Sequence, residues 1–417
     1  MPRSLFCLYV CRIRRSYSTE PRDITLLPYA IQHRRADSAL RGDIFSIHAI
    51  RIVSSALSTQ MRHVHRILAY LVAGLCVVGC SSNTSVTPRA TPTSIATPIA
   101  APTATTPTAS NQRPCDLYAS ATPCVAAFST TRALYVAYAG PLYQVMRQSD
   151  GTTMEIGLLS DGYAKAASQD SFCTSTMCTI SKIYDQSSNH NDLTVAPPGG
   201  AATGAGPGGH DLPAVANALP ITAGGHNLYG IAVIPGMGYR NDTTRNIATG
   251  AQPQGVYMVT SALKINVRCC FDFGNAETSN TDTLAGHMDA INIICRGGTP
   301  CGDQAGLDLE NGIYGSLPVI SGSAFVTDMG ADDGQQYYTI WQGNAQAGAL
   351  TTTGPTRLPP RYSPMQQEGA IILGIGGDNS DGAAGYFFEG VMTDGTPTDA
   401  VMNSVQNNIV AAAYTGL

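Results

Sequence analysis

Two carboxylates stand two residues apart in the stretch GLDLENG, residues 306–312. In a β-strand, alternate side chains point to opposite faces, so Asp308 and Glu310 would share one face of a sheet. A turn at Asn311–Gly312 would follow. Because carboxylates are depleted in strands, such a pair indicates either a reactive site or a solvated outer face of the sheet.

A third acidic residue, Asp378, lies in the stretch AIILGIGGDNSDG, directly after an apolar run and two glycines. Residues Ala370–Ile375 predict a strand that is buried on both faces, and Gly376 and Gly377 would let a ligand approach the backbone closely. Asp378, delivered by this strand beside apolar neighbours, could have a raised pKa and act as a general acid. The alternative is an ordinary Asp–Asn turn. Phosphate binding is not favoured, since no P-loop lysine or helix start follows.

Cys269 and Cys270 are adjacent in the stretch RCCFDFGNAE. Neighbouring Cα atoms lie about 3.8 Å apart across a trans peptide, whereas ordinary disulfides span about 4.4–6.8 Å. The two residues therefore have three options: separate partners, a metal ion, or a stiff ring formed with each other.

The stretch YDQSSNHNDL, residues 184–193, offers oxygen ligands in Asp185, Asn189, Asn191 and Asp192. They could ligate calcium, but the EF-hand register is absent, and a tight Asx-type loop is the favoured interpretation. The sequence contains neither HExxH nor a GxSxG elbow. We therefore expect no metal and no organic cofactor.

Charge and cysteine content restrict the class of protein. Residues 114–417 carry 11 Lys/Arg and 25 Asp/Glu, which is a poor composition for binding nucleic acid. Eight of the twelve cysteines lie in this region, close in pairs along the chain. This placement is typical of an oxidised, extracytoplasmic domain, although eight cysteines allow 105 connectivities. The cysteines are Cys115, Cys124, Cys173, Cys178, Cys269, Cys270, Cys295 and Cys301.

The first part of the chain has the character of a leader and a tether. Residues 61–80 carry positive charge before a short apolar run and end in VVGC, which resembles a bacterial lipobox with Cys80 as the lipidated residue. The alternative is an ordinary signal peptide with a chance cysteine. Residues 1–60 are interpreted as an upstream mistranslation, and residues 81–113 as an extended Thr/Pro-rich linker. We thus expect the domain of residues 114–417 to be anchored to a membrane by lipid.

The remaining sequence predicts an all-β domain. About ten short strands, several with period-two alternation, favour a two-sheet β-sandwich or jelly roll with a few short helices. One short capped helix is predicted in Ser129–Gly140. Another is predicted near the end of the chain, with Thr396 as its N-cap and Pro397 at its first position.

Several long stretches resemble the catalytic domain of family 54 glycoside hydrolases, which are retaining α-L-arabinofuranosidases on a concanavalin-like β-sandwich. These stretches include IYDQSSNHNDLTVAPPGG, RCCFDFGNAET, GHMDAI, DLENG and EGAIILGIGGDNSDGAAGYFFEGVMTDG, and they are collinear over about residues 115–415.

The resemblance implies a role for each matching residue. Glu310 corresponds to the nucleophile and Asp378 to the acid/base. Residues implied to line or bind the sugar are Asp308, Asn311 and Gly377. Cys269 and Cys270 correspond to a vicinal disulfide that packs against the furanose ring. Its stiffness would make it a flat apolar surface that binds at little entropic cost.

Two features depart from the family pattern: the loop of residues 291–305 lacks a Trp and contains Cys295 and Cys301, and no arabinose-binding β-trefoil follows. The resemblance implies an exo-acting enzyme that removes arabinose from arabinan or arabinoxylan, without cofactor, as a monomer. The alternatives are a surface lectin that binds arabinose, and a glycosidase for another pentoside such as a β-xyloside.

Overall fold

The computed structural model describes residues 112–118, 120–295, 303–318 and 322–417, which all belong to one compact unit. The predicted leader, the lipidation position Cys80 and the linker up to residue 111 lie outside these residues. Cys301, which pairs locally with Cys295 in the sequence prediction, also lies outside them. Among the described residues, no helix has the length and apolar character needed to cross a bilayer.

Strands dominate the described part of the chain. In order they are β1 (Cys124–Ser129), β2 (Tyr143–Arg147), β3 (Thr153–Ile156), β4 (Cys178–Ile183), β5 (Leu193–Val195), β6 (Leu219–Ala223), β7 (His226–Val233), β8 (Tyr239–Asn241), β9 (Gln254–Thr260), β10 (Asp272–Ala276), β11 (Asp289–Cys295), β12 (Asp303–Asp308), β13 (Ile313–Pro318), β14 (Val326–Asp332), β15 (Tyr337–Asn344), β16 (Ala347–Arg357), β17 (Ala370–Leu373) and β18 (Gly385–Asp394). The helices are α1 (Pro114–Leu117), α2 (Ala166–Phe172) and α3 (Asp399–Ala411), with 3₁₀ turns at Pro207–Gly209 and Pro360–Tyr362.

The strands form two antiparallel sheets. Within the described residues, an eight-stranded sheet has the order β16-β15-β14-β9-β18-β7-β6, and β1 also pairs with β18. A ten-stranded sheet has the order β13-β12-β11-β10-β17-β8-β5-β4-β2-β3. The all-β sandwich with a few short helices is confirmed, although its strands outnumber the ten that the sequence suggested.

Aromatic side chains join the two sheets in the core. Phe273 of β10 packs edge-on against Phe128 of β1 with ring centroids 6.1 Å apart, and it contacts Phe387 of β18 at 5.4 Å. All three side chains are fully buried. Since β10 belongs to one sheet and β1 and β18 to the other, this cluster lies in the interior of the sandwich.

The helix predicted in Ser129–Gly140 is wrong. The structure has irregular backbone after β1, and the Ser129 hydroxyl accepts hydrogen bonds from the amides of Thr131 and Arg132 at 3.0 and 3.1 Å. Arg132 is buried and forms two hydrogen bonds to Glu389, at 2.6 and 2.7 Å. These contacts compete with helical hydrogen bonding, because Ser side chains offer the backbone an alternative partner.

The C-terminal helix exists, but its predicted start is wrong by two residues. Helix α3 begins after Thr398, whose side chain accepts a hydrogen bond from the amide of Val401. The hydroxyl of Thr396, the predicted cap, instead donates to the carbonyl oxygen of Asp332 at 3.0 Å. Pro397 therefore precedes the cap and does not occupy the first helical position.

The loop of residues 184–193 is held by its own acidic side chain, as predicted. Asp185 accepts hydrogen bonds from the amides of Ala127, Ser187 and Asn191 at 2.8–2.9 Å. The hydroxyl of Ser187 donates to the same carboxylate at 2.7 Å. This carboxylate fixes the loop against β1 by hydrogen bonding.

Two disulfides staple neighbouring segments of the sandwich. Cys115 is bonded to Cys124, which joins α1 to the start of β1. Cys173 is bonded to Cys178, which joins the end of α2 to β4. Both bridges close short loops, of 9 and 5 residues in sequence separation, so each constrains the unfolded chain only locally.

A buried carboxyl pair links the two sheets. Asp289 of β11 and Asp332 of β14 are both fully buried, and Oδ1 of Asp289 and Oδ2 of Asp332 accept no hydrogen bond from an N–H group of the described residues. Burial, followed by the charge of Asp289, raises the pKa of Asp332 well above its usual value, and burial also raises the pKa of Asp289. We therefore expect the pair to share a proton in the folded state.

We expect Asp332→Asn to stabilise the fold increasingly as the pH rises. A folded-state pKa above the unfolded value gives stability that is complete at low pH and lost as pH rises through the folded pKa. The amide keeps an acceptor for the Gly334 amide and a donor for Asp289 without needing a proton. Thermal melts from pH 4 to 8 should show a growing advantage, of about 1–3 kcal/mol at the upper end. An advantage independent of pH would contradict the shared proton.

Candidate active site

A cavity of about 410 Å³ collects all seven residues that the sequence implied for the sugar site. Its lining residues are Cys269, Cys270, Asp282, Met288, Asp308, Glu310, Asn311, Gly312, Ile313, Gly376, Gly377, Asp378 and Ser380. The residues come from the segment before β10, the loop between β10 and β11, the β12–β13 turn and the loop after β17. Four separate segments thus meet at one place.

The cavity lies over the outer face of the ten-stranded sheet. Side chains alternate along these strands, so that Phe273, Ile291 and Leu307 enter the core between the sheets. Ala290 and Ile372 belong instead to a separate apolar cluster that also contains the cavity residue Met288. One face of the sheet therefore stabilises the sandwich while the other forms the floor of the site.

Glu310 lies in the tight turn between β12 and β13. The predicted strand over this stretch is too long, because β12 ends at Asp308. Glu310 and Asn311 have φ values of 61° and 58°, and the amide of Leu309 donates to the carbonyl oxygen of Gly312 at 3.1 Å. Positive φ at both central positions is typical of a type I′ hairpin turn. The turn is therefore at Glu310–Asn311 and presents both side chains to the cavity.

Hydrogen bonds fix the residues on either side of Glu310. Asp308 is 8% exposed, and its Oδ1 accepts a hydrogen bond from the amide of Glu310 at 3.2 Å. The Nδ2 of Asn311 donates to both carboxylate oxygens of Asp282, at 3.0 and 3.1 Å. The hydroxyl of Tyr362 donates to the carbonyl oxygen of Glu310 at 3.0 Å. The turn is thereby held in one conformation.

Asp378 lies in a tight loop after β17. This strand ends at Leu373, two residues before the predicted end, because Gly374 has a φ of 79° and its amide donates to the carbonyl oxygen of Asp272 at 2.8 Å. The Oδ1 of Asp378 accepts hydrogen bonds from the amide of Ser380, at 2.9 Å, and from its hydroxyl. The side chain is half-buried, so it remains accessible from the cavity.

The buried guanidinium of Arg240, in β8, connects two walls of the site. Its Nη1 donates to the carbonyl oxygen of Gly377 at 2.7 Å and to Oδ1 of Asn379 at 3.1 Å. Its Nη2 donates to the carbonyl oxygen of Glu277, and its Nε donates to Asp242. Because a buried cation needs its partners, these contacts fix the loop after β17 relative to the end of β10.

Cys269 and Cys270 are bonded to each other in the structure. Cys269 is exposed and Cys270 is 3% exposed, and both line the cavity. Of the three options left open by the sequence, the structure contains the ring. Their sulfur atoms lie near a carboxylate oxygen of Asp308, but bonded sulfurs are not the free thiolates that metal ligation requires.

The carboxyl of Glu310 lies in a strongly acidic environment. Oxygen atoms of Glu277, Asp282 and Glu310 lie within 4.8 Å of one another. Burial, followed by the charges of Glu277, Asp308 and Asp282, raises the pKa of Glu310 above its usual value. Burial also raises the pKa of Glu277. Because close carboxyls titrate as a unit, we expect Glu277 and Glu310 together to hold one proton at neutral pH.

Sequence reasoning missed four residues at or behind this cavity. Asp282, Met288 and Ser380 line it, and Glu277 lies behind Gly377. The signal that identified Asp378, an acidic residue following a buried strand, applies equally to Glu277 after β10. The other three lie in loops whose position relative to the strands has no local sequence pattern.

Comparison with known proteins gives a consistent result. A family model described as alpha-L-arabinofuranosidase B, catalytic, matches residues 114–415. A probable alpha-L-arabinofuranosidase B of Aspergillus flavus is 50% identical over 317 residues, covering 72% of this chain and 62% of the relative. An alpha-L-arabinofuranosidase of Hypocrea jecorina is 50% identical over 316 residues, covering 72% and 63%. The chain thus spans about three fifths of the length of these curated relatives.

Solved structures agree with this assignment. An arabinofuranosidase complexed with arabinofuranosyl-alpha-1,2-xylobiose has 45% identity and a TM-score of 0.69, over 73% of this chain and 66% of that one. A GH54 α-L-arabinofuranosidase soaked with a cyclic sulfate inhibitor has 45% identity and a TM-score of 0.68, with the same coverage. The chain therefore belongs to the family of α-L-arabinofuranosidase B catalytic domains, glycoside hydrolase family 54.

Proposed function

We propose that this protein is a retaining, exo-acting α-L-arabinofuranosidase that releases arabinose from arabinan or arabinoxylan side chains. The observation that carries the proposal is the meeting of Glu310, Asp378 and the Cys269–Cys270 ring in one cavity. Two carboxyl groups on either side of a sugar are the equipment of glycoside hydrolysis. The names of the relatives support the choice of arabinofuranoside as substrate.

The two carboxyl groups have different tasks in the proposed double displacement. Glu310 attacks the anomeric carbon and forms a covalent arabinosyl ester while the glycosidic bond breaks. Asp378 gives its proton to the departing oxygen. In the second step Asp378 accepts a proton from water, which attacks the anomeric carbon and frees Glu310. This division is supported by the resemblance of the stretches DLENG and GGDNS to the family pattern, and the two residues lie in separate segments that both line the cavity.

The remaining residues bind the sugar in this proposal. Asp308 and Asn311 offer a carboxylate and an amide to the furanose hydroxyls, and the backbone of Gly377 lies in the cavity wall. A Cβ atom at position 377 would overlap Oε2 of Glu277, so only glycine fits there. The Cys269–Cys270 ring presents a flat, polarisable surface on which a furanose can pack.

The first test compares two chromogenic substrates. We expect turnover of 4-nitrophenyl α-L-arabinofuranoside and little turnover of 4-nitrophenyl β-D-xyloside. The reverse preference would indicate an enzyme for another pentoside. Arabinose binding without turnover of either substrate would indicate a lectin. Either outcome would refute the proposed activity.

Substitution of the two carboxyl residues then separates their roles. Asp378→Ala removes the proton donor, a contribution typically of about 10²–10⁴-fold, which an alkoxide leaving group needs and a nitrophenolate does not. For Asp378→Ala we expect a larger loss of kcat/KM on arabinoxylan than on the nitrophenyl substrate. Added azide should speed turnover of the nitrophenyl substrate by this variant and give an arabinosyl azide of retained configuration. Glu310→Ala should lose activity on every substrate. Equal losses on both leaving groups for Asp378→Ala would contradict its role as acid.

Replacing both Cys269 and Cys270 with Ser should weaken catalysis more than folding. A ring of two adjacent residues removes little entropy from the unfolded chain, so the thermal midpoint should fall only modestly. Loss of the sulfur surface should raise KM or lower kcat/KM for the arabinoside. Peptide mapping of the wild-type protein that finds either cysteine bonded elsewhere would contradict this proposal.

We also propose that the protein is extracytoplasmic and anchored by a lipid on Cys80. The motivation is the VVGC motif after an apolar run, followed by the Thr/Pro-rich linker. The bridges at Cys115–Cys124 and Cys173–Cys178 suit an oxidising compartment. In Triton X-114 partitioning, wild-type activity should enter the detergent phase and Cys80→Ala activity the aqueous phase. Wild-type activity in the aqueous phase would contradict the anchor.

A further inference from the structure

Glu277 has no task in the mechanism above, yet it lies directly behind the site. It follows β10, is fully buried, and its Oε2 occupies the space that a side chain at position 377 would need. Its carboxylate also lies within 4.8 Å of the carboxylate of Glu310. A buried carboxyl this close to the proposed nucleophile can influence its charge and its orientation.

The carboxylate of Glu277 receives little support from its surroundings. Apart from Glu310 and the backbone of Glu277 itself, no group of the described residues donates a hydrogen bond to either of its oxygens. Arg240 is near, but its guanidinium donates to backbone carbonyls and to the side chains of Asn379 and Asp242. Glu368 adds negative charge. A buried carboxylate with so few donors is costly, so the structure favours a protonated Glu277.

We propose that Glu277 is a positioning residue that keeps a proton and donates it in a hydrogen bond to the carboxylate of Glu310. This inference rests on the proposed function, in which Glu310 is the nucleophile. The bond holds one oxygen of Glu310 and leaves the other for the anomeric carbon. The same donor faces the carboxylate when it leaves the sugar in the second step.

Burial decides which member of the pair keeps the proton. Glu277 is 0% exposed, whereas Glu310 is half-buried at the cavity. The charged form is less costly where water can reach it, so the negative charge lies on Glu310 and the proton on Glu277. The groups that face this pair are Asp272, Asp308, Asp282 and Glu368, all acidic, and Arg240. The acidic majority favours keeping one proton on the pair.

A cation is the competing occupant of this acidic cluster, and the geometry disfavours it. Both carboxylate oxygens of Asp282 accept hydrogen bonds from Nδ2 of Asn311, and Oδ1 also accepts one from the amide of Leu284 at 2.8 Å. These oxygens are therefore engaged. A shared proton between Glu277 and Glu310 satisfies the buried carboxyl without recruiting Asp282.

The experiment compares Glu277→Gln, which keeps a donor and the side-chain shape, with Glu277→Met, which keeps volume but no donor. On 4-nitrophenyl α-L-arabinofuranoside we expect kcat/KM of the Gln variant within about tenfold of wild type. The Met variant should lose about 10²–10³-fold, the typical effect of removing a preorganised donor. Asp328→Asn, which alters a fully buried carboxyl in the other sheet, is the matched control and should behave as wild type.

A pH profile separates this role from a purely structural one. In an Asp378→Ala background the nitrophenyl substrate needs no acid, so an alkaline decline in kcat/KM reports loss of the proton shared by Glu277 and Glu310. Adding Glu277→Gln should abolish that decline, because an amide does not ionise in this range. Thermal melts of each variant verify folding, and the Gln profile remains decisive if the Met variant does not fold.

Three results would overturn the inference. Equal losses for Gln and Met, or an alkaline decline that persists with Gln, would show that the proton of Glu277 does not matter. A large change in wild-type activity on adding EDTA or calcium would identify a cation in its place. A wild-type protein that does not hydrolyse the arabinoside refutes the proposed function, and this inference with it. An active wild type with equal losses refutes this inference alone.

Discussion

The hydrogen bonds of one buried guanidinium, that of Arg240, are the constraint on which the site depends. They reach the backbone of Gly377, next to the proposed acid, and the backbone of Glu277, next to the proposed nucleophile. Neither contact is to a reacting group. A buried cation that loses a partner costs several kcal/mol, so the two walls cannot move apart without a large loss of stability. The loop that carries Asp378 is thus fixed relative to Glu277 by a residue outside the cavity.

The sandwich also holds several carboxyl groups close together on the outer face of its ten-stranded sheet, although carboxyl groups are rarely buried. The inner face of the ten-stranded sheet buries Phe273 and its neighbours, which supply the stability of the fold. The outer face holds Asp272 and Asp308 close to Glu310, and burial followed by these charges raises the pKa of Asp272. Burial and like charge shift carboxyl pKa values upward, which is the usual equipment of acid–base catalysis near neutral pH. One sheet therefore separates stability from chemistry by its two faces.

Rigid local structures present the reactive groups. A two-residue turn with positive φ at Glu310 and Asn311 leaves little freedom in the hairpin, and the carboxylate of Asp378 is engaged by Ser380. The ring formed by Cys269 and Cys270 has almost no rotamers to lose on binding. Ordering a flexible side chain on binding costs about 0.5–1.5 kcal/mol, so preorganised surfaces lose less free energy when a ligand binds than flexible ones do.

The sequence by itself determined the sheet class and predicted most of the residues that line the cavity. Hydrophobic patterning is a local property, so the strands around Leu307 and Ile372 could be predicted from a few residues each. Glu310 and Asp378 were predicted as site residues because each lies in a stretch that resembles the family pattern. The C-terminal helix was predicted from a local pattern, since capping residues and apolar periodicity stand next to each other in the chain.

Tertiary structure decided what distant segments do to one another. The helix predicted in Ser129–Gly140 did not form because Arg132 pairs with Glu389, some 257 residues away. Thr396 was not the cap because Asp332 accepts its hydroxyl. Glu277 was not predicted as a site residue because its proposed role depends on its position beside Glu310. The two residues follow strands β10 and β12, which only the sheet order brings together. Local patterns encode secondary structure, whereas the pairing of buried charges depends on the fold as a whole.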